Sequence, residues 1–155
     1  MIFFDKVVKY IWRNRMIKKV SKKELKVVVG LMNELWKGVD EVEVEKIIKS
    51  NKSELFLYCL DEKSVGFAQV GVRVDYVEGT KSSPVGYLEG IYIQEKYRLK
   101  GYARELVKAC EEWAKNKGCS EFASDCELTN KESYSFHKKV GFKEANRIIC
   151  FNKKI

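Results

Sequence analysis

Apolar and polar positions change period several times along the chain, and each change marks a predicted element. "MIKKV" (16–20) is a short strand candidate. Ser21 and Glu24 then stand at capping-box spacing before Leu25, Val28, Val29, Met32, Leu35 and Trp36. These recur every three or four residues and predict a helix. Asp40 and Glu43 repeat the spacing ahead of a second, shorter helix, whose early Glu41, Glu43 and Glu45 suit a positive helix start. "ELFLYCL" (54–60) and "VGFAQVGVRVDYV" (65–77) read as strands joined by the turn residues "DEKS", a predicted hairpin.

"YLEGIYI" (87–93) continues the strand pattern. Helical spacing returns with Ala103, Leu106, Val107, Cys110, Trp113 and Ala114, and Gly118 stops it. A strand over 120–128, a short helix over 129–140 closed by Gly141, and a last strand in "ANRIICFNKKI" complete the order. The pattern predicts one mixed α+β domain over residues 16–155, a mostly antiparallel sheet flanked by helices. Residues 1–15 read as an N-terminal extension or an over-long start, with no function assigned.

Composition narrows the class. The chain has 155 residues, 45% hydrophobic and 34% charged, with one proline, which suits a globular domain with a real core. No apolar run approaches the roughly 20 residues of a membrane helix, and the first 15 residues lack a signal-peptide core. Five cysteines without CxxC spacing suggest reduced thiols in a cytoplasm, mostly small buried hydrophobes, and no metal site.

The net charge of +8 is unevenly spread. Residues 1–26 hold nine Lys/Arg against Asp5 and Glu24, while the rest of the chain is close to neutral. A basic arm for nucleic acid is one reading, and solvated lysines on a strand and first helix are the other.

The chemistry concentrates in "QEKYRLKGYARELV" (94–107). Backbone N–H groups at a helix start lack intrahelical partners, a glycine lets a ligand approach them, and Arg98 and Lys100 add charge. That combination suits a phosphate or pyrophosphate. It matches neither a Walker loop nor a GxGxxG fingerprint.

With its flanks, "YLEGIYIQEKYRLKGYARELV" resembles motif A of the GNAT N-acetyltransferases, whose Arg/Gln-x-x-Gly-x-Gly/Ala appears as Arg98, Gly101 and Ala103. "ELTNKESYSFHKKVGF" resembles the family's motif B. The resemblance implies the GNAT fold, with acetyl-CoA bound where two strands splay. Ile91, Tyr92 and Ile93 would lie along the pantetheine arm. Arg98, Lys100, Gly101, Tyr102, Ala103 and Arg104 would form the pyrophosphate turn, and Asn130 would touch the cofactor.

"SSPVGYLEG", "EFASD" and "GFKEANRIICFNKKI" are further similar to bacterial aminoglycoside 6'-N-acetyltransferases, from about Met16 onward. That likeness implies an aminoglycoside substrate, a resistance activity and a homodimer. Amide formation needs a neutral amine, so a polycationic acceptor calls for carboxylates that hold and deprotonate it. Glu89 and Asp125, at adjacent strand ends, are the candidates. Their other reading is an ion-paired strand residue and a turn cap.

Trp36 and Tyr76 match positions lining the acceptor site in similar proteins, with hydrophobic core as the alternative. Asp40 and Glu41 either add charge at the pocket mouth or serve the helix start alone. His137, the only histidine, stands where many GNAT enzymes place the tyrosine that protonates the leaving thiolate. It is the candidate acid, beside a surface-histidine reading and Tyr134 as another donor. No Cys–His pairing suggests an acyl-enzyme, so attack would be direct, with the oxyanion on a backbone N–H of 90–93. The alternatives are a GNAT enzyme for a polyamine or protein N-terminus, and a basic nucleic-acid module.

Overall fold

A computed structural model describes residues 14–155. Five strands form one sheet in sequential order: β1 (Arg15–Lys19), β2 (Ser53–Leu60), β3 (Lys63–Arg73), β4 (Val85–Ile93) and β5 (Phe122–Ser124). The first four pair antiparallel, and β5 joins β4 in parallel. Helices α1 (Leu25–Leu35) and α2 (Glu41–Lys49) pack on one face. Helices α3 (Tyr102–Asn116) and α4 (Lys131–Lys139) pack on the other. This is the expected mixed, mostly antiparallel sheet between helices.

The capping box forms as read. The Ser21 side chain accepts from a backbone N–H of the following turn, and the Ser21 N–H donates to Glu24 at 2.9 Å. Asp40 caps α2 by accepting from Glu43 N at 2.8 Å, and Glu41 begins that helix. The β2–β3 turn is made by Asp61 and Glu62, both at positive φ (47° and 68°). That is the geometry whose twist suits a two-residue hairpin.

Alternation along β2 divides the core. Tyr58 and Leu60 face α3, with Leu106, Val107 and Cys110, whereas Leu55 and Leu57 face α1, with Val28, Met32 and Phe67. Cys59, Cys110 and Cys119 are buried hydrophobes, as expected.

Several expectations are corrected. β1 begins at Arg15, and the Asn14 N–H already donates to Asp61 at 2.9 Å, so the last residues of the expected extension belong to the sheet edge. The rest of that extension, residues 1–13, lies outside the described residues.

β3 ends at Arg73 rather than at residue 77, because the Val74 carbonyl is taken by the Ser83 hydroxyl at 3.0 Å and the chain turns away. β5 is three residues long rather than nine, pairing only with Gly86–Leu88. No strand forms over 145–155. The segment has β propensity but no ladder partner, and Ile148, Ile149 and Phe151 stand exposed. Trp36 lies just past α1 in an extended conformation, not on the helix face.

The basic end is tied into ion pairs. Lys18 meets Glu24 at 3.0 Å, Lys19 meets Glu54 at 2.9 Å, and Arg15 meets Glu105 at 3.8 Å. These contacts tie three of the six described cations of that end, Arg15, Lys18 and Lys19, to neighbouring acids. Lys6, Lys9 and Arg13 fall outside the described residues.

Candidate active site

Pairing between β4 and β5 stops at Leu88 and Ser124, while β4 runs on to Ile93. The outer edge of β4 is therefore open over 89–93, a splay that leaves ladder groups for a ligand. At the same point β4 carries a bulge. Leu88 opposes Val70 and Gly90 opposes Gln69, leaving Glu89 as the extra residue.

The bulge turns Glu89 and Gly90 toward the α1 face together. Glu89 lies over Gly71, where a Cβ would stand 3.2 Å from its Oε1. A Cβ on Gly90 would fall 2.1 Å from the Trp36 ring, so only glycine leaves room for that indole. Trp36 also packs edge-on against Phe67, at 5.8 Å. The Trp36 ring is anchored in the core, as its core reading expects, and its edge walls the bulge.

Both candidate carboxylates are engaged. Arg73 grips Glu89 through two bonds, Nη2–Oε2 at 2.8 Å and Nε–Oε1 at 3.2 Å. Its guanidinium carbon lies 3.3 Å from the centroid of the Tyr87 ring. Tyr87 in turn donates its hydroxyl to Asp125, directly after β5. Burial, then the bond and charge of Asp125, push the Tyr87 phenol far above its ordinary range, so it stays a donor. Burial works against the Arg73 cation, but the bond and charge of Glu89 outweigh it and hold the group charged. Glu89 and Asp125 each come one residue past the last β4–β5 pair, Leu88–Ser124, and are linked through Arg73 and Tyr87. Sequence reasoning paired the acids but missed Arg73 and Tyr87. The alternation in "VRVDY" identifies the face of Arg73 without naming its partner.

His137 reaches across from α4 to β5. Its Nδ1 donates to the Ser133 carbonyl at 2.7 Å, and its Nε2 lies 2.8 Å from the Ser124 hydroxyl. Ser124 also reaches the Leu88 carbonyl at 3.1 Å. One hydroxyl proton thus has two claimants. With Nδ1–H committed, the two protonation states of the ring correspond to the two directions of the Ser124 O–H. Tyr134 is bonded to Glu144 at 3.0 Å instead. Tyr76 is 81% exposed in the β3–β4 loop and donates to Glu78 at 2.8 Å, with no bond to either candidate carboxylate.

At the other end of the splay, Gly101 caps α3 at φ 84°, a left-handed conformation that favours glycine, with no side-chain cap. Among the described residues the N–H groups of Gly101, Tyr102, Ala103 and Arg104 have no protein acceptor. That donor set, at a positive helix end, fits the pyrophosphate of a nucleotide-like cofactor. The side chains divide differently from expectation. Arg98 turns back, donating to the Ile93 carbonyl at 2.8 Å and to Glu132 at 3.3 Å. Tyr102 is buried and stacked on Tyr58, 4.6 Å between centroids.

Arg104 donates to the Lys139 carbonyl at 3.0 Å and lines a cleft of about 260 Å³ with Lys108 and Lys139. Lys100 stands in the turn near Tyr97. Asn130 caps α4 by accepting from Ser133 N at 2.9 Å. Along β4, Ile91 and Ile93 pack toward α3, whereas Tyr92 packs with the α1 cluster and donates to Glu34 at 2.8 Å.

Comparison with known proteins points to one family. The acetyltransferase (GNAT) family matches residues 26–142. An aminoglycoside N(6')-acetyltransferase type 1 of Acinetobacter genomosp. 13 is 39% identical over 131 residues, covering 82% of this chain and 90% of the relative. One of Acinetobacter haemolyticus is 36% identical, covering 90% and 98%.

Among solved structures, aminoglycoside N-acetyltransferase AAC(6')-Iy in complex with CoA superposes with a TM-score of 0.88 at 35% identity, covering 92% of this chain and 97% of its own. The same enzyme with the bisubstrate analogue CoA-S-monomethyl-acetylneamine gives 0.87 at 36% identity, covering 92% and 99%. With its splayed β4, uncapped α3 and these relatives across most of its length, the chain belongs to the GNAT acetyltransferase family.

Proposed function

We propose that the protein transfers the acetyl group of acetyl-CoA to the 6'-amino group of aminoglycosides, which confers resistance by removing a cationic centre. One observation carries this reading: two carboxylates stand beside the open edge of β4, at the far end of which α3 presents unpartnered N–H groups. The relatives named for this activity, and the bisubstrate complex of AAC(6')-Iy, support it.

In this reading the N–H groups of 101–104 hold the pyrophosphate, with Lys100, Arg98 and Asn130 around the turn and Arg104 beside the cleft. The edge of Ile91–Ile93 receives the pantetheine arm. Glu89 anchors the acceptor ammonium, and Asp125, directly or through water, takes its proton. The neutral amine attacks the thioester in a ternary complex: the C–N bond forms, a β4 N–H receives the oxyanion, the C–S bond breaks, and the nitrogen's second proton passes to water beside Asp125. His137 returns a proton through the Ser124 hydroxyl, so Nε2–H and Oγ–H break as Oγ–H and S–H form. Tyr76 offers an exposed aromatic face to the amino-sugar rings, and Trp36 walls their site with its ring edge.

The protein acts as a single GNAT domain in the cytoplasm, and as a homodimer. The exposed apolar residues of the unpaired 145–155 segment support the dimer, since a second copy supplies a covering surface.

A panel assay tests the reading. CoA release is measured with kanamycin, tobramycin, spermidine and a peptide N-terminus. Turnover with the aminoglycosides at least 100-fold above the other amines is expected. Preference for spermidine or the peptide would move the protein to another acceptor class.

A further inference from the structure

The site described above contains a cation of its own. A carboxylate (Glu89) and an aromatic face (Tyr87) converge, and a second carboxylate (Asp125) accepts the phenol hydroxyl. A carboxylate beside an aromatic face is the chemistry that recognises an ammonium. Its occupant in the free protein is the Arg73 guanidinium, bonded to both Glu89 oxygens and stacked at 3.3 Å on the Tyr87 ring.

We propose that Arg73 is an internal competitor of the acceptor: its guanidinium fills the ammonium subsite of Glu89 and Tyr87 until an aminoglycoside displaces it. The inference rests on Glu89 being the acceptor's anchor, as read above.

Geometry makes the displacement feasible. Arg73 is the last residue of β3, its side chain is 43% exposed, and the chain beyond it leaves the sheet. A guanidinium released from Glu89 therefore passes into water without opening the core. Both side chains keep contact with water, 43% and 30% exposed, so the pair can exchange. Two hydrogen bonds and a stacked ring hold the subsite closed to a weak monocation, while a polycation with several contacts displaces the guanidinium. Glu89 meanwhile never stands as an uncompensated charge on the bulge, in a site already holding Asp125.

The competition predicts a change in acceptor binding separate from chemistry. Arg73→Gln and Arg73→Ala are compared with wild type by calorimetry and steady-state kinetics, using kanamycin as the acceptor. Both variants are expected to lower the kanamycin Kd and KM about fivefold, roughly 1 kcal/mol. The CoA Kd should stay within twofold, and thermal melts and CoA binding verify folding.

Methylguanidinium is then added. It refills the vacated subsite in Arg73→Ala, acts as a competitive inhibitor against kanamycin, and returns KM toward the wild-type value, while leaving wild type unaffected at the same concentration. A kanamycin Kd that is unchanged or raised in folded Arg73 variants overturns the proposal. So does methylguanidinium without effect on Arg73→Ala.

Glu89→Gln, with Arg73 intact, separates this failure from that of the underlying reading. If Glu89→Gln leaves kanamycin binding unchanged, Glu89 is not the anchor. If Glu89→Gln weakens binding while the Arg73 variants match wild type, the anchor stands and the competition alone is wrong.

Discussion

The Nε2 of His137 lies 2.8 Å from the Ser124 hydroxyl, tying the chain's only histidine to the strand that leads into Asp125. A direct donor to the leaving thiolate would need a free ring nitrogen, and both are bonded here. His137→Phe is expected to lower kcat about 100-fold with CoA affinity kept, and Ser124→Ala to lower it nearly as far. Stopped-flow acetyl transfer measures both. Wild-type kcat in Ser124→Ala with a loss in His137→Phe would return the acid role to the imidazole alone.

Glu89→Gln and Asp125→Asn are each expected to reduce kcat/KM for kanamycin by about 100-fold or more, leaving the CoA Kd within twofold. The two should differ in kind. Glu89→Gln raises the acceptor KM, because an anchor is lost, whereas Asp125→Asn acts mainly on kcat. Full kinetics at saturating acetyl-CoA separates them, and equal effects on KM would undo the division of roles.

The pyrophosphate cradle proposed at the start of α3 is backbone, so its sensitive residue is Gly101, at φ 84°. Gly101→Ala imposes a strain of about 1–2 kcal/mol and shifts the N–H groups behind it. Weaker CoA binding and a lower Tm are expected together. Arg98→Ala is expected to weaken CoA binding by loosening the tie from Ile93 to Glu132, since the guanidinium is directed there. Calorimetry with CoA checks both, and an unchanged Kd in Gly101→Ala would place the pyrophosphate elsewhere.

Gly90→Ala drives a methyl group into the indole of Trp36, because a Cβ there lies 2.1 Å from the ring. A rigid ring anchored on Phe67 has little room to yield. Overpacking should cost roughly 1–3 kcal/mol and raise the kanamycin KM more than the CoA Kd. Chemical denaturation and kinetics test this together, and an unchanged Trp36 environment by fluorescence would contradict it.

The Glu24 carboxyl is held down at about 2 by the Ser21 hydroxyl first, then the Ser21 backbone N–H, with Lys18 adding to both. Its folded value lies below its unfolded one, so this stability is fully present above about pH 4.5 and is lost as pH falls toward 2. Ser21→Ala is expected to cost about 1 kcal/mol at pH 7, with the gap from wild type narrowing below pH 4. Denaturant melts at both pH values measure it. A gap that stays constant would exclude Glu24 as the source.

Local features were legible because their causes are local. The capping box at Ser21 and Glu24, the hairpin turn at Asp61 and Glu62, and the start of α3 at Gly101 each depend on a few neighbouring residues. So did the motif pointing to a pyrophosphate, since backbone N–H groups at a helix start need only the helix and a glycine. Strand ends were less legible, because a ladder needs a partner. Residues 145–155 have strand composition and pair with nothing, and β5 stops at Ser124 where β4 diverges.

The sequence alone therefore determined the order of elements as far as α4, the family resemblance and a helix start whose N–H groups suit a pyrophosphate. Tertiary structure decided how the two candidate carboxylates and the histidine are wired. The bulge at Glu89, the indole over Gly90 and the ties Arg73–Glu89, Tyr87–Asp125 and Ser124–His137 join residues 13–54 positions apart. Such contacts follow from register and splay, which no local pattern encodes.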